Sequence, residues 1–240
     1  MGGDGGATLA PSWIGLRVLP KGPDGYGRAT STPKELRPRR IITLDLLPPP
    51  SDGAFHSRIT AVPADVAARS TWSARCPVTL KQLRYVTVGF VGFDGRPHTG
   101  ELLVNRSAAQ GVVTAFRQLF EARWPIEEMR ITSNTDLVAP MTGDGNDTSA
   151  FVCRPVRGAK VWSQHAYGLA IDLNPFHNPY VSGSTVLPEL ARFYTRRDRG
   201  QAGMNTPKSA AVKAFRSIGW GWGGSYRTKK DWMHFSSTGG

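Results

Sequence analysis

At 240 residues and 26.1 kDa, the chain is long enough for one domain with a substantial core and an extended arm. Its apolar residues nowhere form the run of roughly 18 that a membrane span needs, so a soluble chain without a transmembrane segment is expected. A net charge of +12 implies attraction to polyanions. No RNP, zinc-finger or helix-turn-helix signature accompanies that charge, which argues against specific nucleic-acid binding.

In chain order, residues 1–54 are rich in Gly, Pro and charge and end on the breaker run Leu47 to Gly53. They read as an extended arm or linker, with the domain proper over 55–240. Ile41 to Leu46 adds one short strand. From Leu83 to Phe93, β-branched and aromatic residues dominate and predict a strand. Asp94-Gly95 turns the chain, and His98 to Asn105 returns as the partner in a hairpin. Ser107 is the expected N-cap of an amphipathic helix running to about Arg123, with Val112, Val113, Phe116, Leu119 and Phe120 on its apolar face. Met129 to Ser133 reads as a third strand, and the Gly-rich polar stretch Thr142 to Ser149 as a loop. Leu187 to Thr195 predicts a short helix, and Pro207 opens another that ends near Ile218. Strands and helices mix without a βαβ rhythm, so the class is α+β.

The chemistry concentrates in Ser163-Gln-His-Ala-Tyr-Gly-Leu-Ala-Ile-Asp172 and in Asp231-Trp-Met-His234. A catalytic zinc takes three protein ligands and leaves a fourth position for water; His165, Asp172 and His234 supply such a set. Seven residues separate His165 from Asp172, an odd spacing that cannot place both on one face of a strand. The chain must turn between them, and Gly168 permits it. Leu169 to Leu173 then alternates as a half-buried strand, with Asp172 and small Ala170 on one face. Asp231 lies three positions before His234, so it belongs in a turn ahead of the last strand, from which it could act as proton acceptor.

This S-x-H-x-x-G-x-A-x-D motif, with its downstream acidic-x-x-His, resembles that of the peptidase M15 group, zinc D-alanyl-D-alanine carboxypeptidases and endopeptidases of bacterial cell-wall metabolism. The resemblance extends from roughly Phe55 to the C-terminus. It implies a small antiparallel sheet with helices packed on one side and the zinc site at the sheet, a D-Ala-D-Ala peptidase or hedgehog-like fold. It also implies that His165, Asp172 and His234 hold Zn2+ and that Asp231 is the catalytic base. The family carries an arginine upstream of its motif to bind substrate carboxylate or an oxyanion; Arg154 is the first choice for it and Arg130 the second. Ser163 either bonds substrate or caps the turn. Trp232 is expected to pack against the site, and Trp220 and Trp222 to lie in the core. His56, His98 and His177 show no ligand spacing.

The activity implied is hydrolysis of peptidoglycan stem peptides, either a carboxypeptidase removing terminal D-alanine or an L-alanyl-D-glutamate endopeptidase. A non-catalytic wall-binding module is the alternative from another class. Anionic wall polymers are a further partner for the +12 charge, and a monomer is expected. Work outside the membrane suits a Cys76–Cys153 disulfide, with two buried thiols as the alternative. The first residues, Met1 to Ala7, lack the basic and apolar regions of a signal peptide, so an extracellular or wall-associated location would rely on a signal not encoded there or on another route.

Overall fold

The computed structural model describes residues 6–23, 25–29 and 31–239. The reading of Met1 to Ala7 as lacking a signal peptide falls largely outside them.

The central unit is an antiparallel sheet of β1 (Ser57–Thr60), β2 (Leu83–Val91) and β3 (Pro97–Asn105), with β2 in the middle. The β2–β3 hairpin pairs Leu83 with Asn105 through to Val91 with Pro97, and its turn carries Gly95 at φ 75°. Period-two alternation divides the side chains. Val86, Val88, Phe90, Leu102 and Val104 face one core, shared with α2 (Ala109–Glu121). Leu83 and Leu103 face another, shared with Val66 of α1 (Ala64–Arg69), Ile131 and Phe151. Val112, Val113, Phe116 and Leu119 recur at helical spacing along α2 and are buried; each such side chain contributes about 1.5–3 kcal/mol. Helix α4 (Ala210–Ser217) packs against α2 on the same side, with Phe116 edge-on to Phe215.

The remaining elements, β4 (Glu128–Met129), α3 (Asn134–Val138), β5 (Asp147–Thr148), β6 (Ala170–Asp172), β7 (Tyr180–Ser182), β8 (Thr185–Leu187), β9 (Gly221–Trp222), β10 (Lys230–Asp231) and β11 (His234–Ser236), are all short. They form two further antiparallel sheets, β6-β11-β9 and β10-β7-β8, and one parallel pair, β4-β5. The α+β class holds, but three small antiparallel sheets replace the single one expected, and α1 lies on the face opposite α2 and α4.

Several local expectations are corrected. The Ser107 hydroxyl donates to Asn105 Oδ1 at 2.9 Å, so it serves the preceding turn and Ala108 takes the N-cap of α2. The strand expected over Met129 to Ser133 is only the two residues Glu128–Met129; at the next position the Arg130 N–H donates to the Asp147 carboxylate in place of a ladder carbonyl. Asp147 and Thr148, read as loop, pair with it. Helix α4 begins at Ala210 with the Ser209 hydroxyl accepting from Val212 N–H, three residues after Pro207. Leu187 to Thr195 is a 3-10 turn over Glu189–Thr195. Ile41 to Leu46 forms no strand: Ile41 bridges Thr8 and Leu47 bridges Thr99, with Leu44 and Leu46 exposed between them.

The described residues of the N-terminal segment carry turns, among them 12–16 and a 3-10 turn at Lys34–Leu36, and they are built into the fold. Leu19, Leu36 and Ile41 share a core with Phe176, Leu190 and Tyr194. Arg39, 4% exposed, forks onto Glu127 at 2.8 and 2.5 Å, donates to the Asp144 carbonyl and lies over the Phe176 ring. Removing one partner of such a buried pair costs about 3–5 kcal/mol.

Candidate metal centre

Three elements deliver the three expected ligands. His165 sits in a 3-10 turn, Gln164–Tyr167, whose N-cap is Ser163; the Ser163 hydroxyl accepts from the His165 N–H at 3.3 Å. Of the two roles considered for Ser163, the cap is the one its hydrogen bond makes. Gly168 closes the turn at φ 67°, and a Cβ there would stand 2.6 Å from the Asn105 nitrogen, so both conformation and space demand glycine. Its carbonyl accepts from that same Asn105 N–H, which fixes the turn to the end of β3. The chain then enters β6, which pairs antiparallel with β11 so that Asp172 and His234 are directly opposite. Opposed residues of such a pair project on one face with Cβ atoms about 5 Å apart.

His165 Nε2, Asp172 Oδ2 and His234 Nδ1 converge. Nε2 lies 3.3 Å from the Asp172 Oδ2 atom and 3.3 Å from His234 Nδ1, while His234 Nδ1 lies 3.1 Å from Asp172 Oδ1. Tetrahedral coordination with bonds of about 2.0–2.1 Å places ligand atoms roughly 3.3–3.4 Å apart, so the two nitrogens and the carboxylate fit one metal ion. His165 Nδ1 is 2.6 Å from the Ala150 carbonyl. A carbonyl only accepts, so Nδ1 carries the proton and the Nε2 lone pair is directed into the cluster, the orienting partner that ligating histidines use. Side-chain exposure is 4% for His165, 13% for His234 and 21% for Asp172, so the cluster is enclosed but open on one side. Burial disfavours a charged Asp172, but the facing His165 and His234 outweigh it and hold the carboxyl well below the usual range. Burial likewise opposes charge on His234, and Asp172 overrides it and raises the imidazole.

Asp231 occupies β10, paired with β7, in place of the turn expected ahead of the last strand. The chain leaves that sheet and enters β11 over the next two residues, which is how Asp231 and His234, three positions apart, reach one site. The Asp231 Oδ1 atom is buried without a hydrogen-bond partner among the described residues. Burial first, then the Asp172 charge, raise its pKa to about 6.

Arg154 follows Cys153, which is bonded to Cys76 across 77 residues, as expected for a disulfide. Its guanidinium donates to the Pro155 carbonyl at 3.2 Å and has no carboxylate partner among the described residues. Burial lowers its pKa, opposed by the charges of Asp172 and Asp231, which sets it within electrostatic reach of the cluster. Arg130 is engaged elsewhere: it donates to Glu128 at 2.6 Å and to Asp136 at 2.8 Å, and no hydrogen bond takes it to the cluster. Trp232 is half-buried against the main core, and Trp220 and Trp222 are buried within it. His177 is buried between Asn146 and the Arg39 carbonyl, His98 between Asp45 and Asp94, and His56 bonds Asp52. The Ala150 carbonyl had no signal in the sequence, since any residue type supplies one. Tyr180 and Tyr226, beside Asp231, were likewise missed; only the β7–β10 register reveals the first.

The family model described as D-alanyl-D-alanine carboxypeptidase matches residues 157–237. This stretch, about a third of the chain, is similar to the peptidase M15 family. It contains His165, Asp172, Asp231 and His234, whereas Arg154 and Arg130 precede it. No curated protein and no solved structure matches the chain. The M15 match supports a peptidase, and peptidases of that family are generally zinc-dependent.

Proposed function

We propose that the chain is a zinc metallopeptidase that hydrolyses peptidoglycan stem peptides, removing a terminal D-alanine. The observation that carries this reading is the buried, unbonded Asp231 carboxylate oxygen beside a His-Asp-His cluster of metal-ligand spacing. A structural metal site has no use for a second, unpaired acid next to its ligands, and leaving one buried costs free energy.

His165, Asp172 and His234 are the residues that would hold zinc, which when bound supplies Lewis-acid polarisation and a more acidic water. Asp231, ionised above about pH 6, accepts a proton from the attacking water at its free oxygen and returns it to the departing amine. Arg154 offers a guanidinium without a carboxylate partner for negative charge developing on the carbonyl oxygen. The +12 charge favours residence at an anionic cell wall, outside the membrane, and we take the working form to be a monomer. No helix among the described residues is long and apolar enough to cross a membrane.

The test is mass spectrometry of stem peptides with and without terminal D-alanyl-D-alanine, incubated with zinc-loaded protein and with a chelated control. Loss of one alanine only with zinc is the expected result. An internal cut would replace the reading with an endopeptidase, and no cleavage of either peptide would favour a wall-binding module.

A further inference from the structure

Asp231 has two aromatic neighbours. In the β7–β10 pair it lies directly opposite Tyr180, so the two side chains share a face. On its other side is Gly223, where an added Cβ would stand 2.9 Å from Asp231 Cβ and 3.0 Å from Tyr226 Cε2. The edge of the Tyr226 ring is therefore beside the acid, and glycine is what lets them approach. Lys230 fastens this arrangement: its ammonium donates to the carbonyls of Gly224 and Tyr226, tying their loop to β10. Lys229 completes the group, with Nζ 5.9 Å from the Tyr180 ring centre and 5.6 Å from that of Tyr226. Lys229 is exposed and makes no hydrogen bond or ion pair among the described residues.

We infer that Tyr180, Tyr226 and Lys229 form the subsite for the leaving residue of the substrate, with Lys229 recognising its free α-carboxylate. The inference rests on the catalytic reading of Asp231. A group that protonates the departing amine must lie within hydrogen-bond reach of that nitrogen, so whatever flanks Asp231 flanks the leaving residue. In a C-terminal residue the carboxylate carbon is two bonds from the amine, which puts its oxygens roughly 2.7–3.6 Å from that nitrogen. A second carboxylate so near Asp231 and Asp172 requires a cation. The Lys229 ammonium, on a flexible stem and steadied by two ring faces, is placed beside Tyr180 and Tyr226 to supply it. A substrate cut at an internal bond presents an uncharged amide at this point and gains nothing from Lys229. The subsite therefore selects carboxypeptidase over endopeptidase substrates, and it leaves Arg154 to the carbonyl oxygen.

The experiment compares a stem peptide ending in D-alanyl-D-alanine as free acid with its C-terminal amide. Binding is measured by calorimetry to the zinc-loaded Asp231→Asn protein, which suppresses turnover, with and without Lys229→Met. The acid should bind at least about tenfold tighter than the amide, the interaction of one charge-assisted pair. Lys229→Met should abolish that preference while leaving zinc content and amide affinity unchanged, and Lys229→Arg should restore part of it. A preference that survives Lys229→Met, no preference, or no binding of either peptide would overturn the inference. Cleavage by the wild-type chain is then scored separately. A Lys229-dependent preference without cleavage would sink the catalytic reading and leave the subsite standing; cleavage of acid and amide alike, unchanged by Lys229→Met, would do the reverse.

Discussion

Asp172 and His234 face one another across β6 and β11, their Oδ1 and Nδ1 atoms 3.1 Å apart. Sixty-two residues separate them in the chain, and strand register alone makes them neighbours. Because the pair also converges on His165 Nε2, deleting any of the three should release the metal. His165→Ala, Asp172→Ala and His234→Ala are each expected to lower zinc affinity by more than about 100-fold, since even outer-sphere partners cost 10–100-fold. Zinc per mole of protein, by elemental analysis, checks this. Stoichiometric zinc retained after His165→Ala would refute the ligand set.

Asp231 should separate metal binding from turnover. Asp231→Ala leaves the three ligands intact, so zinc content and melting temperature should stay near wild type while kcat falls about 10²–10⁴-fold. In the proposed mechanism the active form is the carboxylate, and burial with the Asp172 charge holds its pKa near 6 before any cation is added. A bound cation favours ionisation further. The wild-type rate should therefore rise with pH through an acid limb at or below about pH 6. Turnover by Asp231→Ala at the wild-type rate would remove Asp231 from the mechanism.

What the sequence made legible was whatever a local pattern encodes. The β2–β3 hairpin, the apolar stripe of α2 and the turn at Gly168 each follow from periodicity or from one residue's conformational freedom, and each is found. The His165, Asp172 and His234 cluster was readable because the motif spacing resembled a known family's. Illegible were features set by long-range register: the placement of Asp231 on β10 opposite Tyr180, the Ala150 carbonyl on His165, and the burial of Arg39 against Glu127. The last is instructive, since Arg37-Pro-Arg-Arg40 looks solvated by composition. Only the tertiary fold supplies the carboxylate and ring face that make burial tolerable.

Gly168 tests how tightly the turn governs the site. Gly168→Ala combines a left-handed conformation, costing roughly 1–2 kcal/mol for an L side chain, with a Cβ 2.6 Å from the Asn105 nitrogen. The 3-10 turn must then move away from β3 and take His165 with it. The variant should lose both stability and zinc affinity, whereas Gly158→Ala, with open space at its Cβ position, should lose only stability. Unchanged zinc affinity in Gly168→Ala would show that the turn does not set the ligand.

The disulfide closes a loop of 77 residues and ends one position before Arg154. In the chain-entropy account a closure of that length stabilises by about 4 kcal/mol. Cys76→Ser/Cys153→Ser should lower the melting temperature by roughly 10 °C for a chain of this size. It should also loosen the segment that carries Arg154 and the Ala150 carbonyl, so kcat/KM should fall with zinc still bound. Thermal unfolding and zinc analysis of the double variant measure both parts, and an unchanged melting temperature would mean the bond adds nothing to stability.

His177 should make stability depend on pH. It is fully buried, stacked on Phe93 and bonded between Asn146 and the Arg39 carbonyl, and burial depresses its pKa from 6.5 to about 3. Above pH 6.5 it is neutral in both states and contributes no pH dependence. Below 6.5 the unfolded chain takes up a proton that the folded chain refuses, so unfolding becomes more favourable by about 1.4 kcal/mol per pH unit until about pH 3. His177→Gln removes this group, and whatever fixed cost the substitution carries, the slope of unfolding free energy between pH 6 and 4 should be shallower by about that amount. Denaturant unfolding of both metal-free proteins over this range measures the difference. Parallel slopes would mean that His177 takes up its proton in the folded state as readily as in the unfolded one.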